Sequence, residues 1–336
     1  MNFQLEVDPT LSEDSTVYRI VDFFSAAQIV LNNKFMFSRA DTFPDKNEGI
    51  DRLLTQLEVS GAGSCGGMGW TDRETAKKSH RLTQKSHYIS CWSRACNSVA
   101  MWSLYSQDFA SVRISTKITK LKALTGNIID EYSFLRLREE DLNKSVVVCV
   151  EARIAPVDYK SLDVLSSRVQ RRLKAFRRIK DRYLREGKEL PKPGSIPPKY
   201  FERKKQRQII KSLKMFSLKD NSFEHEKEVR IVVRLGEEPC DEELLALQGF
   251  IETEHPYHSL IKSDLALFGS VKNCNLQEKE FVNCPNDFIE NIAIDPRCPA
   301  HKEDFMRNWF QDHGIKVVKS NCFGYIPDSF DVFPSK

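Results

Sequence analysis

No stretch of this 336-residue sequence stays apolar for the roughly 18 residues that a membrane crossing needs, and no membrane partner is expected. The opening MNFQLEVDP has neither the basic start nor the apolar centre of a signal peptide. Nine cysteines are present, but C-x-x-C spacing is not. An odd, scattered set argues against a disulfide framework and gives no zinc or dithiol signature. These absences together predict a cytoplasmic protein with reduced thiols. Glycine is scarce too: five of the 14 fall within Gly61 to Gly69 (GAGSCGGMG). That run lacks the fixed spacing and the lysine of a phosphate-cradling loop, so it reads as a connector. No metal site is assigned.

Charge is what the chain has in uneven supply. From Arg168 to Lys214 there are 18 Lys and Arg against four acids, a net +14, so the rest of this +4 chain stands at −10. A local positive field of this size attracts phosphates or an acidic surface. The same region has helical periodicity over 159–186, with Leu165, Val169, Leu173, Phe176 and Tyr183 or Leu184 as its apolar stripe. The proline-rich PKPGSIPP (191–198) breaks that pattern, and Tyr200 to Met215 is a second basic helix. Residues 159–215 therefore read as a basic helical hairpin inserted between two core strands.

The remainder alternates strands and helices. Strands are expected at Val17 to Ile20, Lys34 to Ser38, His87 to Ser93, Ala110 to Thr116 and Ser145 to Ile154, the last the richest in β-branched residues. Helices are expected at Asp22 to Asn32, Thr71 to Lys85, and Asn97 to Gln107 with Asn97 or Ser98 as cap. The stretch between Thr116 and Ser145 is mixed and assigns no element. Residues 287–319 hold a strand, helix, strand unit: Glu290 to Asp295, then Ala300 to His313 with Phe305, Met306, Trp309 and Phe310 as its apolar face, then Ile315 to Lys319 after the helix stop Gly314. The fold class is α+β over 1–336, a mixed or largely antiparallel sheet with flanking helices.

One stretch stands apart. Phe223 to Leu235 (FEHEKEVRIVVRL) puts Glu226, Glu228 and Arg230 at alternate positions of an expected strand, with Val229, Ile231 and Val233 on the other face. Two carboxylates and a guanidinium on one strand face are costly to bury unless they pair or meet a wet cleft. His225 falls on the opposite face.

Several motifs then resemble a bacterial family catalogued as a domain of unknown function: Tyr18-Arg19; a Phe-Asn-Asp-Pro-Phe-Glu loop matched loosely by Phe43, Asp45 and Glu48; Ser90 and Ser93; Met101, Trp102 and Tyr105; and His225 to Arg230. The loop departs from the pattern, with Pro44 before Asp45 and Lys46-Asn47 in place of Pro-Phe. The order Arg, Ser, Glu-x-Glu is also similar to that of ADP-ribosyltransferases. That resemblance implies an ADP-ribosyltransferase-like core and NAD as substrate, with Arg19 as the phosphate clamp and Ser90 as the orienting serine, with Ser93 its competitor. Glu228 becomes the ribose-binding catalytic carboxylate, and Glu226 the group that prepares the acceptor. A fixed carboxylate beside the ribose favours the positive charge that builds as nicotinamide leaves. Tyr88 and Trp92 share alternate positions with Ser90 and are candidates to stack on nicotinamide. Trp102 and Tyr105 read as core at helical spacing.

Three functions compete on these residues. The first is transfer of ADP-ribose to a macromolecule, nucleic acid with RNA ahead of DNA, by a bacterial toxin or phage-defence effector, which implies an inhibitor protein as a further partner. Arg171, Arg172, Arg177, Arg178, Lys204 and Lys205 would hold the phosphates, and Phe176, Tyr183, Tyr200 and Phe201 would stack on unpaired bases. The second is a non-catalytic module that binds nucleic acid or a partner, with Glu226, Glu228 and Arg230 as a structural ion-pair ladder. The third is a nuclease with magnesium on Asp45, Glu48, Glu226 and Glu228.

Overall fold

The computed structural model describes residues 5–45, 47–51, 80–132, 146–188, 216–238 and 276–324. In chain order the strands are β1 (Glu6–Val7), β2 (Thr16–Asp22), β3 (Lys34–Arg39), β4 (His87–Ser93), β5 (Ser111–Lys117), β6 (Val146–Pro156), β7 (Asp158–Tyr159), β8 (Leu218–Lys219), β9 (Glu228–Glu238), β10 (Lys279–Asn283), β11 (Asn291–Ile294) and β12 (Val317–Val318). The helices are α1 (Phe23–Asn32), α2 (Val99–Tyr105), α3 (Ile118–Glu131), α4 (Leu162–Arg185) and α5 (Ala300–Asp312). Ten strands form one mixed sheet in the order β1-β6-β9-β4-β2-β5-β11-β12, with β3 joining β4 to β10, while β7 and β8 form a separate parallel pair. The fold is α+β.

Local chemistry accounts for the elements. Asp22 caps α1 by accepting from the Ser25 N–H at 2.9 Å, and Asn33, at φ 49°, ends it. Ser98, one of the two expected caps, starts α2 by accepting from the Met101 N–H. The apolar face of β9 (Val229, Ile231, Val233, Leu235) is buried with Tyr88 and Trp92 of β4, Ile154 of β6, and Ile118, Leu121, Leu124 and Ile128 of α3. Each such side chain stabilises by about 1.5–3 kcal/mol on burial. α3 falls within the stretch where the sequence suggested no element. On α5, Met306 and Phe310 are buried as expected, but Phe305 is exposed. No described helix is long and apolar enough to cross a membrane.

Two topological features shape the candidate site. The first is a fork: β2 and β3 share one edge of β4, β2 pairing only at Tyr18↔Ser93 and β3 at Ser38↔Ile89 and Arg39↔Tyr88. Ser90, Cys91 and Trp92 lie between those pairings. The second is the root of the basic insertion. β7 and β8 zip it shut with Asp158↔Leu218 and Tyr159↔Lys219. One carboxylate, Asp220, then accepts from the Leu162 N–H that opens α4 and from the Ser222 N–H that opens a 3-10 turn, Asn221–Glu226. The first helix of the expected hairpin is thus α4, with Asp163 in its first turn and Arg182 and Arg185 in its last, matching the helix dipole. The second helix (200–215) and the Gly61 to Gly69 connector lie outside the described residues, as does most of the helix expected at 71–85, of which 80–85 is helical.

Candidate functional site

The register of β4 on β9 sets which groups can meet. Ser93 lies opposite Glu228, Cys91 opposite Arg230 and Ser90 opposite Ile231. Directly opposed residues of antiparallel strands share a face. Glu228, Arg230, Cys91 and Ser93 therefore lie on one face, and Ser90, Tyr88 and Trp92 on the other, within the apolar core.

On the polar face a buried ion cluster is assembled around Arg230, which is 2% exposed. Its Nε donates to Glu228 Oε1 at 2.7 Å and its Nη2 to Glu228 Oε2 at 3.2 Å. Nη1 and Nη2 also hold the two oxygens of Glu48, and Nη1 donates to the Phe216 carbonyl at 2.9 Å. All five guanidinium N–H groups are thereby used. Glu48 arrives on the loop after β3, where Gly49, at φ +73°, lies so close to Phe216 that a Cβ there would sit 2.4 Å from its ring. Lys219, from the root of the insertion, bridges Glu226 Oε2 at 2.6 Å and Glu228 Oε2 at 3.3 Å. The Tyr105 hydroxyl donates to Glu226 Oε1 at 2.8 Å, and the Glu228 N–H donates to the Tyr159 hydroxyl at 2.7 Å.

The electrostatics follow from this packing. Burial alone would raise the pKa of Glu228, but Arg230 and Lys219 outweigh it and hold the carboxyl down to about 2. Burial would lower Lys219; Glu228 and Glu226 instead raise it. Burial pushes Glu48 up, and the Arg230 guanidinium across both its oxygens opposes that shift. Burial raises the Tyr105 hydroxyl, and the neighbouring Glu226 charge adds to this.

On the other face Arg19 reaches into the fork from β2. Its Nη1 donates to Ser90 Oγ at 3.0 Å, and its guanidinium lies 5.3 Å over the Phe35 ring. The Trp92 indole N–H donates to the same Ser90 Oγ at 2.9 Å. Burial lowers the pKa of Arg19, and the Glu228 charge works against that.

The structure thus joins Arg19 directly to Ser90, across 71 residues, and joins Glu226 to Glu228 through Lys219. It differs from the sequence reading at several positions. Glu226 is not on the strand: it closes the 3-10 turn, and Lys227, at φ 44°, separates it from β9. Tyr88 and Trp92 are core residues; Trp92 stacks on Phe35 at 5.6 Å, and the Tyr88 hydroxyl donates to the Gln277 carbonyl. Ser93 is taken up by the turn, donating to the Glu226 carbonyl at 2.6 Å and accepting from the Ala95 N–H. Tyr105, expected in the core, is half exposed and belongs to the ion cluster. The magnesium set does not assemble either. Arg230, Lys219 and Tyr105 occupy the oxygens of Glu48, Glu226 and Glu228, Asp45 shapes its own turn by accepting from the Asn47 N–H, and no cluster of metal-ligating residues occurs among the described residues.

Arg171 and Arg178 are exposed on α4; the side chains of Arg172 and Arg177, and all of Lys204 and Lys205, lie outside the described residues. A cavity of about 320 Å³ lined by Lys34, Asn127, Asp130, Glu131, Phe281 and Asn283 contains none of the candidate residues. Lys219 and Tyr159 carried no signal in the sequence, because β7 and β8 are two residues long and show no periodicity.

Residues 101–231 match the model of a family described as protein of unknown function (DUF2971). The span takes in Met101, Trp102, Tyr105, Glu226, Glu228 and Arg230, but not Arg19, Glu48 or Ser90. No curated protein and no solved structure matches the chain.

Proposed function

We propose that the chain is an NAD-consuming ADP-ribosyltransferase that modifies a macromolecule, with RNA as the acceptor ahead of DNA, in the manner of a toxin or defence effector. The observation that carries this reading is the Arg19–Ser90 hydrogen bond at the fork; Glu228 lies on the opposite face of the sheet, its charge favouring the charged form of Arg19, so the reading requires NAD to reach both faces through the fork. On this reading Arg19 clamps the pyrophosphate and Ser90 orients the ribose. Glu228, ionised at any ordinary pH, faces the positive charge that develops when nicotinamide departs. The Trp92–Phe35 stack fills the fork, so dinucleotide entry requires β2 and β3 to part along β4. The single β2–β4 pairing is the weak point where they would do so. The exposed arginines of α4 bring a phosphate backbone toward the same end of the sheet, because Asp220 ties α4 to the turn that bears Glu226.

The test is release of nicotinamide from NAD by the full chain, with RNA, DNA and protein mixtures as acceptors. Glu228→Gln and Arg19→Ala should each lower turnover at least about 100-fold, the usual size for one stabilising group at a charged transition state, in variants shown by circular dichroism to be folded.

The saturation of Arg230 and Glu228 supports a second reading, a non-catalytic module in which this cluster fastens the insertion to the sheet. Absence of turnover on every acceptor, together with RNA binding that depends on Arg171 and Arg178, would select the module.

A further inference from the structure

Beside the ion cluster, between α2 and the strands β2 and β5, is a small cavity lined by Tyr18, Ser93, Cys96, Ser98, Trp102 and Arg113 among others. Its volume is about 10 Å³, room for one atom the size of a water oxygen. Two of its walls carry buried N–H donors with no hydrogen-bond partner among the described residues: the indole Nε1 of Trp102, 0% exposed, and Nε of Arg113, 4% exposed. Buried donors of this kind are rare in folded proteins, and each costs about 1–3 kcal/mol if left unmet.

Arg113 is also a buried cation that no carboxylate pairs with among the described residues. Its Nη1 donates to the Cys96 carbonyl and to Asn97 Oδ1, and its guanidinium lies 5.0 Å over the Tyr18 ring. The carboxylate of Asp295 is engaged elsewhere: Ala293 lies opposite Arg113, and two residues on, Asp295 is bound by Nε, Nη2 and the backbone N–H of Arg297. Buried charges are normally paired. No carboxylate is among the described residues lining the cavity, which offer hydroxyl, thiol, indole and guanidinium hydrogens.

We propose that this cavity is a phosphate subsite: one oxygen of a phosphate group enters between Trp102 Nε1 and Arg113 Nε, and the rest of the group stays at the mouth. A phosphate bound there supplies the acceptor that Trp102 and Arg113 lack and the negative charge that Arg113 lacks. It does not depend on NAD being the substrate, and its test needs no turnover.

The four tryptophans of the chain give four indole N–H cross-peaks in a proton–nitrogen correlation spectrum of the ¹⁵N-labelled full chain, and Trp102→Phe identifies the one of interest. Titration with inorganic phosphate, and separately with adenosine monophosphate, should move that peak saturably while the other three hold still. A free anion and a phosphate monoester are distinguished by which of the two binds more tightly. Arg113→Gln should weaken the response at least about tenfold, the loss of one charge-assisted bond. Arg113→Lys keeps the charge but removes the Nε donor and should weaken it as well. The second variant serves if the first does not fold. A Trp102 peak that stays fixed in phosphate and nucleotide alike means a water site only and overturns the proposal, as does a response to acetate alone.

Discussion

Glu228 is the carboxylate that both Arg230 and Lys219 hold. Its folded pKa of about 2 lies below the ordinary carboxylate value near 4.5, so it is a stabilising charge while the pH stays above that ordinary value. The stabilisation is lost as pH falls from about 4.5 through 2, because the unfolded chain then takes up the proton more readily than the folded one. The size is on the order of 3 kcal/mol. Urea denaturation at stepped pH should show the wild type losing this stability in that window. Glu228→Gln, already weaker at neutral pH because Arg230 is left partly unpaired, should have a flatter profile. Parallel profiles for the two proteins would remove Glu228 from the cluster's energetics. Two other polar side chains, Tyr105 and Arg113, were hard to place from the sequence. Tyr105 lies at helical spacing with Trp102, a pattern that fits the core, and only its position at the last residue of α2 lets its hydroxyl reach Glu226. Arg113 is one more polar residue in an alternating strand, and nothing local reveals that it is buried without a carboxylate.

At the scale of elements, α4 is the one with an expected partner. Its exposed Arg171 and Arg178 are separated by two turns, so one nucleic-acid strand can follow them. Reversing both to Glu should make the dependence of RNA affinity on salt shallower by about 1.4 in log–log slope, two phosphate contacts on a single strand. An unchanged slope in filter binding across a salt series would detach α4 from RNA. Elements with a strong period were legible: β4 spans the expected seven residues, and α1, α5 and β6 differ from expectation by a residue or two. The Glu-bearing strand was half right. Val229, Ile231 and Val233 do form its core face, but the alternation in the sequence runs back to Phe223, whereas Lys227 in the left-handed region turns the chain away from extended structure. α3 was missed although Ile118, Leu121, Leu124 and Ile128 lie on one face, because Lys120, Lys122, Gly126 and Asn127 interrupt the run. β10 was missed because its ladder to β3 joins residues more than 240 positions apart, a pairing with no local signature.

For the whole molecule, strand order was the least legible property, since sequence shows which residues prefer to be extended but not which edges they seek. Here the late strands go to early partners: β10 covers β3, and β11 covers β5. A fragment ending at residue 238 would leave both edges bare, with Phe35, Phe37, Val112 and Ile114 among the residues uncovered. Such edges recruit other chains. The fragment should elute as aggregate in size-exclusion chromatography where the full chain elutes as a defined species; a well-behaved fragment would show that the late strands are dispensable.

The fork carries a consequence for synthesis. Arg19 and Ser90 leave the ribosome early, but the strand that supports Phe35 from its far side is made roughly 190 residues after Ser90. At about 5–20 residues per second, on the order of 10 to 40 seconds separate the first appearance of these two side chains from the moment the sheet can hold them in register. A nascent chain therefore has the site's residues long before it has the site, and whatever the fork does waits until β10 has been made.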